Sequence, residues 1–418
     1  MAERLVIAGL GHRGDGVAET AGGPLFVPYA LPGETVLVER EGGRARLAEI
    51  ERVSPDRTEP FCPYFGRCGG CVAQHMGADT YAAWKRGTLE GALRKARIDA
   101  PVEPLVDAHG AGRRRVTFHA RVRDGRTRVG YMAAGSHDLV EIAVCPIAEP
   151  GLADAPPAAL ALARVLERSR KPLDLQATAT EAGLDIDIRG HGPVDAKTRL
   201  ALGEAAAALD LARLSLHGDV VVERRPPSVT MGRARVVPPP GSFLQATAAG
   251  EEVLSGLVVA ACQEARCVAD LFAGCGPFTL RLAEARETHA FDGDVAALAA
   301  LDRAARATPG LRPVKTEARD LFRRPLLPSE LERFGALVMD PPRAGAEAQA
   351  RQLAIAKVPV VVSVSCDAGT FARDAAMLIA GGYTLERVVP VDQFKYSAHL
   401  EIVGVFRVQR DVKKRRRR

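Results

Sequence analysis

Val358–Thr370 reads VPVVVSVSCDAGT. Val358, Val360, Val361, Val362 and Val364 form a short β-branched run without helical spacing, the pattern of a parallel strand buried on both faces. Asp367 to Thr370 supply N-cap chemistry for a helix over roughly 368–380. Cys366 therefore sits between the C-terminal end of a strand and the N-terminus of a helix, where open α/β sheets bind ligands. The N–H groups there should favour a thiolate over a thiol. A lone cysteine is more often a small core residue, but this setting favours a nucleophile.

The same alternation runs through the C-terminal part of the chain from Gly241. Strands are expected at 267–273, 288–292, 312–316, 336–340, 358–365, 384–391 and 398–408, with helices at 277–284, up to Arg306, at 344–356 and after Cys366. The fold class is α/β, a doubly wound Rossmann-like sheet with the last strand antiparallel. In Val268–Thr279, VADLFAGCGPFT, a strand leads through Gly274 and Gly276 into a helix. Glycines there permit close backbone approach to a ligand. Asp292 closes the next strand, where a carboxylate can accept hydrogen bonds from ribose hydroxyls. The GxGxxG of nicotinamide enzymes is absent. Asp340-Pro341-Pro342-Arg343-Ala344-Gly345 presents a carboxylate rigidly at the end of its strand. In Gly241–Gln245, Phe243 and Gln245 lie on one side of an extended segment, a ring for stacking and an amide for hydrogen bonding. Glu401, in His399-Leu400-Glu401, lies between Leu400 and Ile402, so a raised pKa and a proton-transfer role are open to it, as is a solvent-facing position.

Ahead of this region, residues 4–55 carry three β-like segments (4–8, 34–39 and 45–53) between glycine turns, as in a small barrel. In FCPYFGRCGGCVAQH, Cys62, Cys68 and Cys71 follow C-x5-C-x2-C spacing, with Cys145 in Val144-Cys145-Pro146 as the natural fourth thiolate. Four thiolates suit an iron–sulfur cluster or zinc, and the spacing is not that of a zinc ribbon. Residues 79–98 form an amphipathic helix, and Asp124-Gly125 marks a hairpin within 113–141.

The 418 residues suggest several domains, and 47% hydrophobic content allows substantial cores. There are 57 Lys and Arg, six of them in Lys413–Arg418, against 51 Asp and Glu. The body is neutral, and the net charge of +6 lies in a tail suited to polyanions. Local clusters at Arg113–Arg115 and at Arg121, Arg123, Arg126 and Arg128 point more directly to nucleic acid. No run reaches the length of a transmembrane helix and the N-terminus lacks a signal-peptide core. The expectation is a cytoplasmic monomer with reduced thiols.

Taken together, the barrel at 1–55, the C-x5-C-x2-C with Cys145-Pro146, and FLQ, DLFAGCG, DPPRAG, SCDAGT and HLE resemble the uracil-C5 RNA methyltransferases that carry a TRAM domain and a [4Fe–4S] cluster. The resemblance spans nearly the whole chain. It implies methyl transfer from S-adenosylmethionine to RNA, with 23S ribosomal RNA preferred over tRNA. Cys366 would be the nucleophile and Glu401 the general base. Gln245, Phe272, Gly274, Gly276, Asp292, Asp320 and Asp340 would line the donor site, Phe243 and Arg343 would meet substrate, and Cys62, Cys68, Cys71 and Cys145 would hold the cluster. The implied domains are residues 1–55, a central α+β unit at 56–240, the methyltransferase unit at 241–410 and the tail at 411–418. Pro277, Asp292, Ala368 and Lys395 stand where the family commonly has Asn, Glu, Pro and Pro. A cytosine-C5 enzyme would show a second cysteine near the DPP turn, which is absent. The other alternative is an inactive RNA-binding scaffold.

Overall fold

The computed structural model describes residues 2–41 and 44–408. The basic tail expected at 411–418 lies outside the described residues. An eight-stranded sheet organises the C-terminal half. Its spatial order is Val314–Ala318, Glu287–Asp292, Cys267–Leu271, Ala336–Met339, Val360–Ser365, Glu401–Val408, Tyr383–Asp392 and Val106–Asp107. All neighbours pair in parallel except Glu401–Val408, which runs antiparallel to both strands beside it. The chain moves outward from Cys267–Leu271 and then returns to its other side. This creates a topological switch point, the usual ligand crevice of such sheets.

Both faces are covered, which explains the continuous valine runs. Val338, Val362 and Val364 pack under helix Ala248–Ala261 through Leu254 and Val258. Leu337, Met339 and Val361 face the opposite side, with Phe371 and Leu378 of helix Ala368–Ala380 and Leu89 and Leu93 of helix Ala78–Lys95. Helix Ala248–Ala261, capped by Thr247 on the Gly250 N–H at 2.8 Å, was not anticipated. Neither was the edge strand Val106–Asp107. Residues ahead of 241 thus complete the C-terminal sheet.

A second, seven-stranded sheet spans Arg115 to Glu223 and carries helices Ala155–Val165 and Ala196–Ala208 on its core. Asp124 (φ 53°) and Gly125 (φ 72°) form its predicted hairpin turn. At the N-terminus, two three-stranded antiparallel sheets share a core of Leu5, Ile7, Ala18, Val27, Val36 and Val38. Strands Gly16–Thr20 and Gly23–Val27 fall where the sequence suggested only glycine turns. Gly16 is tolerated in a strand because a Cβ there would lie 2.8 Å from the Ala30 carbonyl.

Helix Ala78–Lys95 joins these parts. Trp84 Nε1 donates to the Gly11 carbonyl at 2.9 Å. The next residue, Lys85, forms a buried ion pair with Asp392 at 3.0 Å. Removing one partner of such a pair strands a charge in the interior, at a cost of about 3–5 kcal/mol. Lys85→Met should therefore lower stability to urea by about 3 kcal/mol. Arg86→Met, which breaks only the exposed pair with Glu90, should change it by less than about 0.5 kcal/mol. Equal midpoints for the two variants would contradict this account.

Candidate functional site

Cys366 follows directly on Ser365, which pairs with Ile402 in the antiparallel ladder. One further rung puts Cys366 opposite Glu401. The parallel neighbour ends at Met339, paired with Ser363, so Asp340 emerges at the same sheet edge. Asp367 caps the next helix, accepting from the Thr370 N–H at 2.9 Å. The 340–346 turn is seated on that helix: Asp374 Oδ2 accepts from the Ala346 N–H at 2.7 Å. Gly345 (φ 75°) gives it the room, since a Cβ there would come 2.7 Å from the same carboxylate.

The thiol does not behave as its helix N-terminus suggested. Burial pushes Cys366 up to about 11, and the carboxylates of Glu401 and Asp340 push the same way, against the opposing charge of Arg343. The expected thiolate preference gives way to a raised thiol, because desolvation and two nearby carboxylates outweigh a few amide dipoles. Glu401 is itself buried, and its carboxyl is raised well above the usual range by burial and by Asp340. The solvent-facing alternative for Glu401 is thereby excluded. Asp340 is raised by burial too, although it opens partly to the cavity.

A chain of side-chain amides links these carboxyls. Gln245 Nε2 donates to Asp340 Oδ2 at 2.9 Å. Gln393 Nε2 donates to Gln245 Oε1 at 2.7 Å and to Glu401 Oε2 at 2.8 Å. Gln393 Oε1 accepts from the Ala246 N–H at 2.9 Å. Gln393 was not selected from the sequence, where Asp392-Gln393-Phe394 carries no local sign of burial.

Phe272, Gly274, Gln245, Phe243 and Asp340 line one small cavity at the switch point. Phe272 adopts φ 61°, a strained conformation for a non-glycine residue. Asp292 Oδ2 accepts from the Gly274 N–H at 2.8 Å and Oδ1 from the Asp294 N–H at 2.7 Å, which fixes the glycine turn to the next strand. Gly276 (φ 89°) lies against Leu301 and begins the following helix. Asp320 is exposed and caps its own turn, accepting from the Phe322 and Arg323 N–H groups at 3.1 and 3.2 Å. It reaches the site indirectly, through the Phe322 ring 5.4 Å from that of Phe272. Asp270, which the sequence reading passed over, is fully buried beneath the turn. Burial raises it to about 7, and Oδ1 has no partner.

An aromatic and cationic face adjoins the cavity. Phe243 is 64% exposed, with the Arg115 guanidinium 5.1 Å from its ring centre. Arg113 lies 5.7 Å from the Phe394 ring. Arg343 Nη2 approaches both ring nitrogens of His399, at 3.0 and 2.9 Å. Desolvation and the charges of Arg343, Arg113 and Lys85 push His399 down to about 4, so it is neutral. The arginine triplet does not act as one basic patch. Arg114 is buried, paired with Glu251 at 2.5 Å and bonded to the Gln245 carbonyl at 3.0 Å. In the hairpin, Arg126 and Arg128 share Glu141, and Arg121 bonds to backbone carbonyls.

Cys62, Cys68, Cys71 and Cys145 line a single cavity of about 590 Å³ with Arg113 and Tyr131. Burial raises Cys68, Cys71 and Cys145, Cys71 to about 12, and the neighbouring thiols push the same way. Their ligand atoms do not form a tight group. Among the described residues, the three metal-binding side chains whose ligand atoms all lie within 4.8 Å are Cys267, Glu287 and His289, at the far end of the sheet. There Glu287 is already held by His289 at 2.9 Å and Lys315 at 2.7 Å. No described helix is long and apolar enough to cross a membrane.

The model of the tRNA (uracil-5-)-methyltransferase family matches residues 314–410, the segment holding Asp340, Cys366 and Glu401. An uncharacterized RNA methyltransferase of Brucella suis biovar 1 is 45% identical over 96% of this chain and 97% of its own length. The 23S rRNA (uracil(1939)-C(5))-methyltransferase RlmD of Chromohalobacter salexigens is 34% identical over 96% of this chain and 88% of its own. The crystal structure of the Pyrococcus abyssi tRNA (uracil-54, C5)-methyltransferase, in complex with S-adenosyl-L-homocysteine, shares the fold. Its TM-score is 0.75 at 22% identity, over 96% of this chain and 99% of that one. The chain belongs to the uracil-C5 RNA methyltransferase family and is an RNA methyltransferase.

Proposed function

We propose that this enzyme methylates C5 of a uridine in 23S ribosomal RNA, with S-adenosylmethionine as donor and Cys366 as covalent nucleophile. One observation carries the reading: Cys366, directly after the strand Val360–Ser365, and Glu401, at the start of the antiparallel strand beside it, meet at the ligand-binding edge, beside Asp340. Uracil C5 is a poor nucleophile. Addition of the Cys366 sulfur to C6 moves an electron pair onto C5 and O4 and makes C5 enolate-like. S-adenosylmethionine, when bound, would supply the electrophilic methyl group that C5 takes, the methyl–sulfur bond breaking with its electron pair to leave S-adenosylhomocysteine. Glu401 then removes the proton from C5, the electron pair re-forms the C5–C6 double bond, and Cys366 leaves. The base must leave its stack to reach the thiol, and Phe243 with Arg115 behind it offers a stacking surface. Gln245, Phe272, Gly274, Gly276, Asp292 and Asp340 would hold the donor, with Asp320 acting through Phe322. Arg343 supplies positive charge that eases ionisation of Cys366.

The ribosomal substrate is favoured by the Chromohalobacter relative, whose similarity runs nearly end to end. The archaeal tRNA enzyme is alike in fold at lower identity. Residues 1–55 would serve as a TRAM-like RNA-binding unit. Cys62, Cys68, Cys71 and Cys145 would hold a [4Fe–4S] cluster in a structural role.

Labelled methyl transfer to separate rRNA and tRNA pools, followed by nucleoside mapping, tests the function. Label in 5-methyluridine of 23S rRNA is expected, and label confined to tRNA would reassign the substrate. Cys366→Ala should abolish transfer yet keep S-adenosylhomocysteine binding. Glu401→Gln should leave a methylated protein–RNA adduct that survives a denaturing gel. Normal turnover by either variant would remove that residue from its role.

The raised thiol gives a pH prediction. Below about 11 the reactive thiolate fraction rises about tenfold per pH unit. Alkylation of Cys366 in the free enzyme, read by peptide mass spectrometry, should follow that slope between about pH 7 and 9. Arg343→Met should slow it and Glu401→Gln should speed it. A rate independent of pH would mean a thiolate already formed.

Anaerobically purified protein should contain about four irons per chain. Cys145→Ser should lose them as completely as Cys68→Ser. Stoichiometric zinc without iron would replace the cluster with a zinc site.

A further inference from the structure

Glu401 has a built partner that the mechanism above does not use. Gln393 is fully buried, and the strand Tyr383–Asp392 ends immediately before it. Its amide has one allowed orientation. The Ala246 N–H can only donate, so the atom it meets at 2.9 Å is the Gln393 oxygen. The nitrogen then points at Gln245 Oε1 and Glu401 Oε2, at 2.7 and 2.8 Å, and both its hydrogens are committed. Gln245 must present its own nitrogen to Asp340 Oδ2, at 2.9 Å. The direction of the whole chain follows from one backbone N–H. The helix that packs on Gln393 is shaped to admit it: a Cβ on Gly250 would lie 2.7 Å from both Cβ and Oε1 of Gln393.

We propose that Gln393 is a positioning residue for proton removal: it donates to one oxygen of Glu401, leaves the other free to meet the C5 proton, and ties that carboxylate to Gln245 and Asp340 on the donor side. The inference rests on the reading of Glu401 as the base. A hydrogen bond donated to a carboxylate favours the ionised form, and here it opposes the burial and the Asp340 charge that raise Glu401. The other ionisable groups around Glu401 are Cys366 on the facing strand, Lys85 with Asp392 behind the 392–400 loop, and Arg343 with His399 at the mouth. Taking away the Gln393 donor leaves all of them in place. The pH at which Glu401 ionises should then move upward, and at neutral pH less of it can act as base.

The test is a single-turnover experiment with labelled S-adenosylmethionine and RNA, following methyl transfer and decay of the covalent adduct separately across pH. Gln393→Met keeps the length and removes the donors. Adduct decay should fall about tenfold more than methyl transfer, and the midpoint of its pH profile should rise by about one unit. Gly250→Ala keeps the amide but displaces it, and should give the same pattern in smaller measure. S-adenosylhomocysteine binding checks that each variant is folded, and if Gln393→Met fails that check the Gly250→Ala result decides. Decay with an unshifted profile, slowed no more than transfer, would overturn the role of Gln393. If the wild type and Glu401→Gln both form no adduct, the covalent reading itself falls, and this inference with it.

Discussion

Lys85 and Asp392 meet at 3.0 Å with each side chain 2% exposed. Neither charge is tolerable there without the other. Tyr81 completes the arrangement: its hydroxyl donates to Asp392 Oδ2 at 2.6 Å and accepts from the Tyr396 N–H at 2.8 Å. Lys85 also donates to the carbonyl of His399. One helix near the N-terminus therefore holds both ends of the 392–400 loop, more than 300 residues later in the chain. Gln393 and Glu401 lie at the two ends of that loop. The position of Glu401 depends on an ion pair that belongs to neither the cavity at the switch point nor the aromatic face.

The cost of this arrangement is electrostatic crowding. Asp270, Asp340 and Glu401 are carboxyls raised by burial at one end of one sheet, and Cys366 is raised with them. Three acids and a thiol in a low-dielectric space cannot all ionise together. Such a site favours a ligand that brings positive charge, since a cation beside Asp340 lowers every one of these pKa values at once. The sulfonium of the proposed donor has that charge.

Features read correctly from the sequence were those whose cause is local. VADLFAGCGPFT runs from strand through glycine turn into helix within twelve residues, and Asp124-Gly125 is a turn by itself. The valine run at 360–364 reads as a buried strand because both of its faces are covered. What escaped was set by distant partners. The Val106–Asp107 strand is two residues long and exists only because Tyr383–Asp392 offers an edge. Arg114 looked like part of a basic patch and is instead neutralised by Glu251 in the interior. The thiolate expectation for Cys366 rested on its own helix, whereas Glu401 and Asp340 arrive from other strands. Gln393 shows the same limit: an amide between an acid and a phenylalanine has no pattern until Ala246 and Glu401 close on it.

The cysteine cavity touches the same loop from the opposite side. The N–H groups of Val72 and Ala73, immediately after Cys71, both donate to the Tyr396 carbonyl, at 2.7 and 3.2 Å. Arg113 lines the cavity and lies over the Phe394 ring. Its backbone is held by Ile147 and Glu149, just beyond Cys145. A centre bound by the four thiols would therefore tie together segments 62–73 and 145–149, and through them the Tyr396 carbonyl and the Arg113 guanidinium. The loop before Glu401 is clamped between the Lys85–Asp392 pair on one side and the cysteine segment on the other. A clamp of two independent jaws fixes Glu401 more narrowly than either could alone, which is what the proposed removal of a proton from a single carbon would require.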